Sequence, residues 1–226
     1  EAICRTQINA NLFGKSANRG ECVQPCRRAY SIKDSEGNEL QLENNKVMSA
    51  KDLCTLPFIE KLKKAGIKVF KIEGRTRDAR YVDVVVRSYR KALDKKLSEK
   101  EIEDSLKDLQ SVYNRGFSSG FYLGMPTNDD FAKIEHSAAT EKKIFVGKVL
   151  HYYEKIGVAL VKVSFEFKID DEVVVIGEKT GALRTKIESM EIDYKQIEKA
   201  VKGDEVVIKM PLVRKNDEIY KIIHYS

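Results

Sequence analysis

Residues 49–75 read SAKDLCTLPFIEKLKKAGIKVFKIEGR, and the fold class turns on how this stretch divides. Ser49, Ala50, Lys51 and Asp52 have the spacing of a capping box, with Asp52 in place of the usual glutamate, so a helix is expected to open there. Leu53, Leu56, Ile59 and Leu62 continue at helical spacing. Gly66 stands where such a helix should stop, because glycine takes the left-handed conformation of a C-terminal cap without steric penalty. Ile67 to Ile72 then reads as a short strand closed by Glu73, Gly74 and Arg75. From Asp78 to Lys96, Ala79, Val82, Val86, Tyr89 and Leu93 recur on one helical face, while Arg80, Arg87 and Lys91 form a separate cationic stripe. Helix, strand and helix in succession is the alternation of an α/β layer or barrel.

In such folds the loops at the carboxyl ends of the strands converge on one face and carry the chemistry. Glu73 and Arg75 are therefore candidate catalytic residues at a strand exit, the alternative being a surface ion pair. Downstream, Ser98 to Glu101 makes a second capping box, and the helix it opens is expected to run to about Tyr113. Asn114, Arg115 and Gly116 end it, and a stretch rich in glycine and aromatic residues follows through Gly124.

After Pro126 the pattern changes. Residues 126–142 are polar, with Asp129, Asp130, His136 and Ser137, as a linker would be. From Ile144 onward, short β-rich runs (Val146–Leu150, Val158–Val163, Val173–Ile176, Val206–Met210) alternate with turns such as Gly177-Glu178-Lys179 and Lys202-Gly203-Asp204. That is the pattern of a small all-β barrel or sandwich. The chain thus divides into an α/β portion at 1–125, a linker at 126–142 and a β domain at 143–226. The β domain shows no metal-ligand spacing, nucleophile motif or P-loop, so His151 and His224 read as packed or exposed residues and the domain as a binding or supporting element.

Upstream, residues 18–26 read NRGECVQPC and are followed at once by Arg27 and Arg28. All four cysteines, Cys4, Cys22, Cys26 and Cys54, fall in the first quarter of the chain, and the remaining 172 residues have none. In a reducing compartment this clustering suggests metal or redox chemistry rather than disulfides, against the alternative of small buried apolar residues. Charge is equally uneven. Residues 1–97 hold 21 Lys+Arg against 12 Asp+Glu, a net of +9, while the rest of the chain is net −3. A positive field over the cysteine half would concentrate RNA or a small anionic substrate, the alternative being a solvated lysine-rich surface.

At 226 residues and 42% hydrophobic the chain can bury a core of one large or two small domains. No apolar run reaches the roughly 18–20 residues that cross a bilayer, and EAICRTQINANLFG has neither the basic head nor the apolar stretch of a secretory signal. The expectation is a cytoplasmic protein without membrane partners. Because the sequence does not open on methionine, it is also expected to begin inside a longer polypeptide.

GKSANRGECVQPCRRAY at 14–30, SAKDLC at 49–54, FKIEGRTRDARYVDVVVRSYRKAL at 70–93 and YNRGFSSGF at 113–121 resemble consecutive blocks of the collagenase-like peptidase family, U32. The resemblance implies the end of a TIM-barrel-like α/β domain, followed by an accessory β-barrel similar to the second domain of elongation factor Tu. The family's better understood members hydroxylate RNA: wobble uridine in tRNA, with prephenate as co-substrate, or a ribosomal cytidine. Related proteins carry a 4Fe–4S cluster held by cysteines.

On this resemblance Cys22 and Cys54 match family cysteine positions, Cys26 matches a frequent one, and Cys4 is a substitute ligand in a segment, CRTQINANLF, that departs from the family pattern. Arg27 and Arg28 beside the thiols would lower their pKa and offset the charge of a thiolate-bound cluster. A zinc ion on the same four cysteines is the alternative metal, although the spacing fits no familiar zinc pattern. Glu73, Arg75 and Arg80 would line the substrate side, and Arg19, Arg27 and Arg28 would meet an anion, either prephenate or RNA phosphate.

Two other functions remain open from the sequence. A peptidase would need a nucleophile with a positioned base or a metal-activated water, and the histidines, His136, His151 and His224, all lie far from the cysteines in sequence. A non-catalytic fragment that binds RNA or a partner protein would need neither.

Overall fold

The computed structural model describes residues 14–16, 19, 21, 23–40, 48–74, 77–134 and 136–225. The chain forms two units: residues 1–76 with 88–139, and residues 77–87 with 140–226.

In the first unit, strands β1 (Ile32–Lys33) and β2 (Glu39–Leu40) make an exposed antiparallel hairpin. Strand β3 (Asp52–Leu53) follows, then a 3-10 turn at Leu56–Phe58 and helix α1 (Ile59–Lys64). Helix α2 (Ala79–Asp94) is shared between the units, and α3 (Glu99–Ser111) leads to strand β4 (Phe117–Ser118), which pairs in parallel with β3.

The Ser49 capping box does not form. Ser49 is buried, its carbonyl accepting from Ala132 N (2.6 Å), and Asp52 lies in β3, where its carboxylate accepts from the backbone N–H of Arg115 (3.0 Å) and from the Arg115 guanidinium. Sixty-three positions separate Asp52 from Arg115, so a tertiary partner outcompetes the local cap. The helix opens instead after the proline-containing turn, and it closes as expected. Gly66, at φ +84°, donates to Lys63 O (3.0 Å) and Ile67 N to Leu62 O (3.2 Å), the paired hydrogen bonds of a Schellman motif.

Two further expectations fail here. The segment Ile67–Ile72 pairs with no strand among the described residues, and Val69 is 87% exposed. In α2 the buried positions are Arg80, Val85, Ser88 and Ala92, whereas Val82 and Val86 face solvent, so the buried face is turned by one position from the apolar stripe read in the sequence. The Ser98–Glu101 capping box does form: Glu101 N donates to Ser98 Oγ (3.3 Å) and Ser98 N to Glu101 Oε2 (3.0 Å). The helix ends at Ser111, where buried Asn114 gathers the turn by donating to Val112 O (2.9 Å) and accepting from Gly116 N (2.9 Å).

Residues 127–132, expected within the linker, are bonded to the residues that lead into β3: Lys51 N donates to Asp130 O (2.8 Å), Ala50 bridges Phe131, and Ala132 is fully buried. A strand, rather than linker, already begins at Glu141.

The second unit is built on strands β5 (Glu141–Tyr153), β6 (Val158–Val163), β7 (Phe167–Lys168), β8 (Glu172–Gly177), β9 (Gly181–Lys186), β10 (Met190–Ile192), β11 (Lys195–Gln196), β12 (Lys199–Ala200), β13 (Glu205–Lys209) and β14 (Glu218–His224). Eight of them form one antiparallel sheet in the order β11-β10-β13-β6-β5-β14-β8-β9, and β7 pairs with β12. Register shifts in the long β5 and in β14 bend the sheet, as bulges do. Alternate residues point inward, and Val146, Val149, Val161, Phe167, Val175, Ile187, Met190, Ile208 and Ile219 make one core. Gly147 is required where β5 crosses β6, since a Cβ there would stand 2.6 Å from Lys162 O.

Candidate functional site

The parallel pair β3–β4 brings together two chain ends that sequence distance separates. Cys54 leaves β3 with its N–H donating to Ser118 O (2.9 Å), so the carboxyl end of β3 lies beside the loop that leaves β4. Ligand sites in parallel sheets form at such ends. Cys54 is buried there, 5% exposed. Tyr89 of α2 turns its hydroxyl to the same point, accepting from Thr55 N (2.9 Å) and donating to Cys54 Sγ (3.8 Å). Burial is the main cause that pushes the Cys54 thiol up, and burial together with the adjacent thiol pushes Tyr89 up to about 12. The phenol therefore stays a hydrogen-bond donor toward sulfur in ordinary buffers.

Beside them the Asp52–Arg115 pair ties the start of β3 to the turn before β4. Ser118 Oγ donates to Asp130 Oδ1 (2.5 Å) and accepts from Gly120 N (2.9 Å), which fixes the root of the loop after β4.

The expected site residues fall in different places. Cys4, Cys22 and Arg75 lie outside the described residues. Cys26 is half-buried in a 3-10 turn, Pro25–Arg27, which Gln24 enters at φ +53° and which Tyr30 OH holds by donating to Pro25 O (2.7 Å). Arg27 flanks Cys26 and is half-buried, while Arg19, Arg28 and Glu73 are exposed. Arg80, which the resemblance implied on the substrate side, lies in the second unit, 6% exposed, with its guanidinium on Glu141. Glu141 also accepts from Arg184 (2.9 Å), which in turn reaches Glu172 (2.6 Å).

Sequence reasoning missed Tyr89 as a polar partner because it sat within an apolar stripe; its hydroxyl in an otherwise apolar face was the available signal. Among the described residues no three His, Cys, Asp or Glu side chains converge as a metal site would require. Cys54 by itself suits a soft metal: a buried sulfur at a strand end, with a hydroxyl donor of the kind that tunes thiolate ligands. No helix among the described residues is long and apolar enough to cross a membrane.

Residues 4–132 match the model of Peptidase family U32, and the chain belongs to that family. It is 41% identical over 221 residues to a collagenase of Porphyromonas gingivalis, covering 95% of this chain and 53% of that protein. It is 37% identical over 225 residues to an uncharacterized protease of Methanocaldococcus jannaschii, covering 96% and 55%. It is 32% identical over 182 residues to tRNA hydroxylation protein P1 of Bacillus subtilis, covering 76% and 43%. The chain spans about half the length of the first two relatives.

Proposed function

We propose that this chain belongs to an RNA-hydroxylating member of its family, acting on tRNA with prephenate as co-substrate. On this reading the first unit is the closing part of an α/β barrel, and the second is an accessory β-barrel like the second domain of elongation factor Tu. The observation that carries the reading is the state of Cys54. Its thiol is buried, held protonated, and partnered by a phenol rather than a base. A peptidase nucleophile needs the opposite, a depressed pKa and a base within hydrogen-bonding reach. A ligand cysteine needs only a sulfur that converges with others once its proton is displaced.

Cys54 and Cys22 are the proposed principal thiolate ligands of a 4Fe–4S cluster, with Cys26 and Cys4 completing the set. When bound, such a cluster supplies one-electron chemistry. Tyr89 would then donate to the Cys54 sulfur and hold its orientation. Arg19, Arg27 and Arg28 are the proposed contacts for an anion, and Glu73 and Arg75 the proposed catalytic pair.

The test is anaerobic purification of the protein expressed from its complete gene, with iron and sulfide analysis, absorbance near ~400 nm characteristic of thiolate-bound clusters, and mass spectrometry of tRNA nucleosides from a deletion strain complemented with each variant. Cys54→Ser is expected to lose both iron and hydroxylated uridine. Iron content and hydroxylation unchanged in Cys54→Ser and Cys22→Ser would overturn the proposal. The names of the collagenase and protease relatives favour a second reading, peptide hydrolysis, which predicts cleavage of gelatin by the iron-free protein.

A further inference from the structure

We infer that the second unit carries a docking surface for the RNA substrate on the rim formed by the turn between β5 and β6 and the loop that follows β13; this inference rests on the RNA reading above. The rim exposes apolar side chains from both segments: Tyr153 (43%) and Ile156 (69%) from the turn, and Leu212 (52%) from the loop. The two segments are held side by side, since Met210 N donates to Gly157 O (3.2 Å) and Tyr152 OH donates to Met210 O (3.2 Å). Exposed apolar side chains gathered in this way mark an interaction site.

The loop is fixed from beneath. Val213 is buried, and the carboxylate of Asp217, 5% exposed, accepts from Arg214 N (2.8 Å) and from Thr180 Oγ1 (2.5 Å). Arg214 Nη1 donates to the same Thr180 hydroxyl (3.3 Å), so the buried acid orders both the backbone and the head group of Arg214. Gly177 makes room for it, because a Cβ there would collide with that carboxylate. On the turn, the His151 and Tyr153 rings stand edge to face with centroids 4.5 Å apart, opposite Leu160 and Val158 of β6 in register. A surface ordered beforehand loses less entropy on binding.

The rim's own charge selects the occupant. Residues 151–158 and 209–216 hold four cations, Lys155, Lys209, Arg214 and Lys215, against one acid, Glu154, a net of +3. Lys209 lies 3.7 Å from Glu188. No carboxylate pairs with Lys155, Arg214 or Lys215 among the described residues, whereas Lys162, Lys199 and Lys221 of the same unit each hold one. An apolar partner would cover these cations without compensating them, at the cost of their hydration. A nucleic acid compensates them with phosphates and covers the exposed rings with its bases. An acidic peptide supplies the charge but not the flat rings.

The test is binding of an unmodified tRNA transcript to the full chain by fluorescence anisotropy across a salt series. Arg214→Ala/Lys215→Ala is expected to weaken binding about tenfold and to reduce the slope of log affinity against log salt by about 2, roughly one per lost phosphate contact. This variant keeps the bonds that Asp217 makes to Arg214 N and Thr180, so the loop is retained. Tyr153→Ala is expected to weaken binding about tenfold with the slope unchanged, while Tyr153→Phe, which keeps the ring, binds as the unaltered chain does. The control Lys195→Ala/Lys202→Ala removes the same charge from exposed positions outside the rim and is also expected to bind normally. Unchanged binding by Arg214→Ala/Lys215→Ala, or a loss equal to that of the control, would overturn the docking surface and leave the RNA reading standing. Failure of the unaltered chain to bind tRNA at low salt would overturn the RNA reading itself, and this surface with it. If oligoglutamate binds the unaltered chain but not Arg214→Ala/Lys215→Ala, and tRNA binds both alike, the rim belongs to an acidic protein partner instead.

Discussion

Arg80 binds Glu141 with both side chains more than nine-tenths buried, so residues sixty-one positions apart form an ion pair nearly out of reach of water. Burying one such charge alone is expensive, because the low-dielectric surroundings cannot replace its hydration. The pair is not isolated. Glu141 also accepts from Arg184 (2.9 Å), and His224 lies 3.4 Å from it, so the carboxylate joins α2, the start of β5, β9 and the end of β14.

The first prediction concerns this carboxylate. Glu141→Gln strands the buried Arg80 guanidinium and is expected to destabilise the second unit by about 3–5 kcal/mol. Arg80→Met with Glu141→Leu removes both charges and is expected to recover most of that loss, because the desolvation penalty disappears with them. Urea unfolding of the single and double variants measures the coupling, and additive effects would contradict a coupled buried pair.

The reach of sequence reasoning follows from where each partner sits. The Ser98 capping box was legible because both of its members lie within three residues, and so was the Gly66 stop. The same motif at Ser49 misled, since Asp52 answers to Arg115 and no local pattern carries that information. Arg80 read as one member of a cationic stripe for the same reason: periodicity assigns a face by residue type and cannot register a carboxylate sixty-one positions away. The β runs were visible wherever apolar residues alternate, as at Val158–Val163, whereas β9, reading GALRTK and only half-covered, gave no such signal. At the site, Cys54 stood out by residue type, but the strand carrying it is two residues long and exists only through its pairing with β4.

The second prediction concerns where the second unit can be cut. A fragment of residues 140–226 keeps Glu141 against Arg184 and His224, and keeps the bond from Tyr225 N to Thr140 O (2.8 Å). It is expected to unfold cooperatively in urea. A fragment beginning at Lys142 loses both ties and is expected to be less stable by about 1.5–3 kcal/mol, the range for hydrogen bonds to a charged group. Extending the fragment back to Arg77 restores Arg80 and is expected to raise the midpoint above that of 140–226. Equal midpoints for all three would show that the network contributes nothing.

The third prediction is about acid. The Lys95 ammonium, 2.6 Å away, and the Ser98 cap hold the Glu101 carboxyl down at about 2, below its ordinary 4.5. Because the folded value is the lower one, the stabilisation is fully present above pH 4.5 and is lost as pH falls through 2. Melting curves between these limits are expected to decline less steeply for Glu101→Gln, which keeps an oxygen at the cap but no titrating group. An identical decline would remove Glu101 from the acid response.

The last prediction returns to the buried thiol. In protein without metal, Cys54 is shielded and its pKa is raised mainly by burial, whereas Cys26 is half-buried in its turn. Since only the thiolate attacks an alkylating reagent, iodoacetamide at mildly alkaline pH is expected to label Cys26 well before Cys54, as peptide mass spectrometry can resolve. Tyr89→Phe tests the same corner by a different route. It removes the acceptor of the Thr55 N–H and the donor to Cys54 Sγ, and is expected to destabilise the first unit by about 1–3 kcal/mol, the range for leaving a buried polar group unsatisfied. Opening that corner should also speed the labelling of Cys54 relative to Cys26. If Cys54 in the unaltered protein reacts as fast as Cys26, the thiol is neither buried nor held protonated, and the case against a cysteine nucleophile loses its footing.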